Sequence, residues 1–137
     1  MRERLYKAKR LDNGQWVKGC LIIDYLTGQY FIHADGFSVN ESDKVNEEGC
    51  LKFLAFEVNP ETVCEYVKND CKGNQVFEND IVKIDYTDID VGLIKITGQI
   101  VWNQEIGGYL IHETAYCRYY DIRYHDEMEV VGNAFDN

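Results

Sequence analysis

Leu5-Tyr6-Lys7-Ala8-Lys9-Arg10-Leu11-Asp12-Asn13-Gly14-Gln15-Trp16-Val17-Lys18-Gly19-Cys20 reads as a β-hairpin. Asp12-Asn13-Gly14 supplies residues that tolerate positive φ, as short hairpin turns require. Trp16-Val17 and Leu21-Ile22-Ile23 continue as strand, with a bulge predicted at Gly19. A second turn at Leu26-Thr27-Gly28 leads into Gln29-Tyr30-Phe31-Ile32-His33, rich in β-formers. Ala34 to Gly49 is polar and acidic and reads as a surface loop.

Cys50 to Val58 is the next apolar strand, and Asn59-Pro60 ends it, because proline lacks a donor and restricts its predecessor. Strand resumes over Thr62 to Val67, and Lys72-Gly73-Asn74 turns the chain. Glu78-Asn79-Asp80 precedes the strand Ile81 to Ile84. Leu93 to Asn103 and Gly108 to His112 form a hairpin across Ile106-Gly107-Gly108. Ala115 to Tyr124 carries four tyrosines and is predicted to hold a helical turn, and Met128 to Gly132 is the last strand. Strands separated by turns, with no amphipathic helix of three turns, predict a mostly β fold with little helix. N-terminal hairpins occupy residues 1–58, and a small closed barrel of about five strands occupies 59–137, the whole forming one domain without internal repeat.

Net charge is −10, the opposite of the balance usual in nonspecific nucleic-acid binders. Residues 1–20 hold six Lys/Arg against two acids, leaving eight against 22 in the rest, so a +4 segment precedes a −14 body. Five cysteines, an odd and scattered set, predict reduced and mostly buried thiols in a cytosolic protein. No apolar stretch follows the charged first residues and none is long enough to span a membrane, so neither export nor a membrane partner is expected.

No motif predicts catalysis, a cofactor or a metal. His33, His112 and His125 lie far apart, and Cys64 and Cys71 are too widely spaced for a zinc knuckle. Asp85, Asp88 and Asp90 precede Gly92, but counting from Asp88 puts Gln99 where a calcium loop needs glutamate. Gly107-Gly108 lacks the lysine and helix of a phosphate loop, and no serine sits in a nucleophile elbow. Two binding stretches remain. Lys7, Lys9 and Arg10 lie in the basic opening segment, suited to an acidic partner or a neighbouring subunit. Tyr116, Arg118, Tyr119, Tyr120 and Arg123 form an aromatic–basic group of the kind enriched at protein interfaces.

Three stretches carry a resemblance. Lys7-Ala8-Lys9-Arg10-Leu11-Asp12-Asn13-Gly14-Gln15-Trp16-Val17-Lys18-Gly19 is similar to the opening signature of the YopX family of phage and prophage proteins. Asn59-Pro60-Glu61-Thr62-Val63 with Gly73-Asn74 and Phe77-Glu78-Asn79-Asp80-Ile81-Val82-Lys83-Ile84 resembles the central one, and Val130-Val131-Gly132-Asn133-Ala134-Phe135-Asp136-Asn137 the closing one. The chain departs from the pattern with Val67-Lys68-Asn69-Asp70-Cys71-Lys72, where the family usually has a Thr-Gly pair, and with Asn79 in place of glycine. The resemblance implies a β-rich fold with an SH3-like barrel region and an accessory role in the cytoplasm of a bacterial host. It brings no catalytic residues. The expected function is therefore a non-enzymatic protein-binding or self-associating module acting on a protein partner or as a homo-oligomer. The alternative is a nucleic-acid-associated module using the basic stretch, which net charge disfavours.

Overall fold

The computed structural model describes residues 4–34, 54–113, 115–122 and 127–136. The chain is mostly β, as the turn-separated apolar segments predict, and divides into two compact units between Glu65 and Tyr66.

The first unit contains β1 (Tyr6–Lys9), β2 (Trp16–Asp24), β3 (Gln29–Ala34), β4 (Ala55–Val58) and the start of β5 (Cys64–Asn69), in the spatial order β4-β3-β2-β1-β5. All its pairs are antiparallel. Side chains alternate across the pleat, so Ala8 pairs with Val17 on the buried face while Lys7, Lys9, Trp16 and Lys18 point the other way. The core is Ala8, Val17, Ile32, Ala34 and Val58, with Leu21, Tyr30 and Phe56 packed against it. A single 3-10 turn, Pro60–Thr62, leads into β5; the Asn59 side chain accepts from Glu61 N at 3.1 Å, satisfying an amide the turn leaves unpaired. Thr62 is buried, and its hydroxyl donates to Asn59 O at 2.7 Å and accepts from Lys9 N at 2.9 Å, tying the turn to β1.

In the second unit the end of β5 pairs with β6 (Gln75–Phe77). A sheet then runs in the order β10-β9-β8-β7-β11, made of β7 (Asp80–Asp88), β8 (Gly92–Asn103), β9 (Gly108–Glu113), β10 (Arg118–Asp121) and β11 (Glu129–Asn133). Its core is Val76, Val82, Ile84, Ile96, Ile100, Ile111 and Met128. Ile84 and Ile96 stand where the first unit has Ala8 and Val17, which makes this core the larger at about 0.8 kcal/mol for each added buried CH₂.

Two carboxylates organise the second unit. Asp80 is 1% exposed and accepts from Phe77 N at 2.7 Å and from the Asn133 amide at 2.8 Å, joining the start of β7 to the end of β11. Asp70 accepts from Lys72 N, Asn74 N, the Asn74 amide and Val130 N, all within 3.2 Å, so it shapes the 70–74 turn and fastens β11. Burial by itself would raise the Asp70 pKa; the amides of Val130, Asn74 and Lys72 outweigh it and hold the pKa below 3.8. A carboxylate with a depressed folded pKa stabilises above its unfolded value and loses that contribution as pH falls through the folded one. Asp70→Asn is therefore expected to lower the urea midpoint at pH 7, with the difference from wild type shrinking as pH falls below the ordinary aspartate range.

Asn79 has φ +68°, where glycine or asparagine fits the turn before β7. Its backbone donates to Ile100 O and accepts from Ala134 N, both at 2.8 Å, and its side chain accepts from Gln99 at 3.0 Å. Asn79→Gly is expected to change stability by less than about 1 kcal/mol, whereas Asn79→Val should cost about 2 kcal/mol in a thermal melt, since β-branching resists positive φ.

The two units share a design that the sequence reading, which expected no internal repeat, missed. Residues 19–34 match 98–113 without a gap, displaced by 79 positions (98 − 19). Gly19/Gly98, Gly28/Gly107, Tyr30/Tyr109, Ile32/Ile111 and His33/His112 are identical. Leu21/Ile100, Ile22/Val101, Asp24/Asn103 and Phe31/Leu110 keep their character. Register agrees too: Cys20 pairs with His33 as Gln99 pairs with His112, and Asp24 with Gln29 as Asn103 with Gly108. Asp24 and Asn103 each cap the hairpin turn, accepting from Thr27 N at 3.4 Å and Ile106 N at 3.1 Å, and Gly28 and Gly107 take positive φ. Around both hairpins the strand order is the same, with the fifth strand beside the first.

Three local expectations are corrected. Gly19 is not a bulge: pairing with β3 is unbroken, and glycine is needed because a Cβ there would overlap the His33 carbonyl. The tyrosine-rich segment is mainly strand β10, its register set by pairing with β9 from Arg118↔Glu113 to Asp121↔Leu110; the expected helical turn enters only at Ile122, beyond which residues 123–124 lie outside the described ones. The second half is not a closed barrel: β10 and β11 lie at opposite ends of the order, and no pairing joins them among the described residues. The first unit comes nearer closure through one bridge, Arg10↔Val58, flanked by Leu11 N to Glu57 O at 3.0 Å and Asn59 N to Lys9 O at 2.9 Å.

Candidate binding surfaces

On the first unit, Lys7 and Lys9 stand two apart on the outer face of β1, both reaching Trp16 across the β1–β2 pair. Their ammonium nitrogens sit 4.6 Å and 5.3 Å from the ring centroid, a cation–π arrangement that positions both charges. Lys18 lies opposite Lys7. Arg10 does something else: it is 7% exposed, its guanidinium lies 3.9 Å from the Phe56 ring, and it grips the Asp12 carboxylate with two nitrogens. The bond from Arg10, with its charge, carries the Asp12 pKa below 3.8 against a smaller opposing push from burial. Arg10 thus holds the β1–β2 turn to the core and is not part of the lysine surface.

On the second unit, Tyr116 and Tyr119 are 70% and 57% exposed. Arg118 lies over the Tyr116 ring at 5.4 Å. Tyr119 stacks on His112 at 4.6 Å between centroids and 14° between planes, as their pairing across β9–β10 dictates. Tyr120 points to the opposite face, packs against the core and places its hydroxyl 3.4 Å from buried Glu113. The predicted group therefore splits: Tyr116, Arg118 and Tyr119 face solvent, Tyr120 belongs to the core, and Arg123 lies outside the described residues. His112 joins this surface unforeseen; its sequence signal was the recurrence of His33 at the same place in the matching hairpin.

Other chemistry is sparse among the described residues. No group of three His, Cys, Asp or Glu side chains is placed to hold a metal ion. Asp88 caps its own turn, accepting from Asp90 N at 2.8 Å and Val91 N at 3.1 Å. The buried Oδ1 of Asp85 has no hydrogen-bond partner. Cys20, Cys64, Cys71 and Cys117 form no disulfide, but only Cys64 is buried; the other three sit in strand or turn positions facing solvent, which corrects the expectation of mostly buried thiols. Cys50 lies outside the described residues. One cleft of about 370 Å³ is lined by Ile106, Gly107, Gly108, Tyr109, Asp121 and Ile122, and another of about 400 Å³ by Arg4, Tyr6, Cys20, Leu21, Ile23 and Tyr25. Neither gathers an acid, a base and a nucleophile. No helix among the described residues is long and apolar enough to cross a membrane. No family model, no curated protein and no solved structure matches the chain.

Proposed function

We propose that the chain is a non-enzymatic protein-binding or self-associating module, an accessory protein of the YopX-like phage and prophage class acting in the bacterial cytoplasm. The observation that carries this reading is the aromatic surface of the second unit. Tyr116 and Tyr119 are exposed yet held, one under Arg118 and one against His112. Large aromatics already fixed in the free protein lose little entropy on binding and serve as interface anchors. Free thiols agree with a reducing compartment. The strand order, a four-strand meander with the fifth strand beside the first, supports an SH3-like reading of the second unit. The test is capture of partners by tagged protein from phage-infected host lysate, with nuclease added. Wild type is expected to retain a protein that Tyr116→Ala/Tyr119→Ala retains at least tenfold less. Equal retention by both, or retention abolished by nuclease, would refute the reading.

A further inference from the structure

We propose that the outer face of the first sheet, where Lys7, Lys9 and Lys18 surround Trp16, docks an acidic segment of a partner protein. The proposal rests on the protein-binding reading above and names the chemistry of the partner.

With Ala8 and Val17 turned inward, the pleat sends Lys7, Lys9, Trp16 and Lys18 to one side, all partly exposed. Lys7 is paired directly opposite Lys18, and like charges in that relation cost stability. Lys7 and Lys9 converge on one indole. Three cations are thus gathered on a small area by β-sheet register rather than by chance orientation of long side chains.

The matching sheet of the second unit serves as an internal control. There Ile84 pairs with Ile96 inward, as Ala8 does with Val17, and the flanking outward pairs are Lys83↔Thr97 and Asp85↔Lys95. The same strands in the same order accept a threonine where the first unit has Lys18, and an aspartate where it has Lys9. Lys83 recurs at the place of Lys7, but folding does not require Lys9, Lys18 or Trp16 at theirs, and a ligand accounts for these three.

The chemistry of the ligand follows from three features. Ammonium groups occupy the Trp16 ring, so the indole holds cations in place and is not a platform for base stacking. A net charge of −10 repels a long polyanion, whereas a short carboxylate-bearing segment senses mainly charges within a Debye length of about 8 Å. Along the same outward face the lysines give way to Ile22, which is 40% exposed, and half-buried Phe31 paired with it, with Glu57 next to Phe31 marking the far edge of the apolar part. Such a face fits a peptide that carries acidic residues beside an apolar one.

The test uses the full chain carrying Trp102→Phe, which leaves Trp16 as the only tryptophan. Its fluorescence is titrated with an acetylated eight-residue peptide alternating glutamate and leucine, and separately with an eight-nucleotide oligothymidylate. Saturable binding of the peptide is expected, weakening at least fivefold in Lys7→Gln/Lys9→Gln/Lys18→Gln and on raising salt from 20 to about 200 mM. Lys18→Gln alone, which leaves the Trp16 contacts in place, should weaken it about twofold and covers the case of a triple variant that does not fold. No saturable response, unchanged affinity in the variants, or oligothymidylate binding as tightly as the peptide would overturn the proposal. Those outcomes leave the aromatic surface untouched, since capture through Tyr116 and Tyr119 is read in a separate experiment.

Discussion

Asp80→Ala is expected to destabilise the second unit by about 3 kcal/mol or more, the size seen when a buried charged hydrogen-bond acceptor is removed. The carboxylate is 1% exposed, and it accepts bonds from two other strands: from Phe77 N at the end of β6, and from the Asn133 amide at the end of β11. Alanine would leave both donors buried without this acceptor. Asp80→Asn keeps one carbonyl acceptor and should lose roughly half as much. Urea unfolding followed by Trp102 fluorescence, which reports on the second unit, would measure both. Cys64 is equally buried but its bond to Thr62 O is a weak sulfur one, and Cys64→Ala should cost much less.

Gly19→Ala is the second large effect, expected at about 3 kcal/mol in the first unit. Relief of a Cβ overlapping the His33 carbonyl requires β2 and β3 to move apart, which breaks ladder bonds rather than merely shifting a side chain. Gly98→Ala meets the matching obstacle less severely, with His112 O at 2.8 Å and Ile111 Cγ2 at 2.7 Å, and should cost about 2 kcal/mol. Gly28→Ala serves as a control: nothing lies near its Cβ, so only the strain of φ +75° applies, about 1 kcal/mol. Thermal melts followed by Trp16 for the first unit and Trp102 for the second rank the three. Gly19→Ala melting no lower than Gly28→Ala would show that the close approach is not what glycine serves.

Turn chemistry made most strands legible in the sequence. Asn13-Gly14, Thr27-Gly28 and Gly107-Gly108 mark hairpins because positive φ there is a local property of residue type. Gly19 and Gly98 were harder, since their reason lies across the sheet, in the carbonyl of a residue on the next strand. The recurrence was readable at one fixed displacement, but five identities in 16 positions carry weight only once both hairpins show the same register. Of the binding residues, Lys7, Lys9, Tyr116, Arg118 and Tyr119 lie on outward faces, as their composition suggested. Arg10 and Tyr120 did not follow, because exposure of a strand residue depends on pleat parity and on what closes over it. Arg10 sits at a bridge to β4, where Phe56 and Asp12 enclose it.

Site-specific photo-crosslinking would read protein binding at the aromatic surface in place. A benzophenone side chain placed at position 119 in cells of the phage-infected host, and for comparison at exposed position 61 on the first unit, would be irradiated and read by mass spectrometry after nuclease treatment. The protein-binding reading predicts a defined protein adduct, to a partner or to a second copy, at 119 and not at 61. No protein adduct at 119, or the same adducts at both positions, would contradict it.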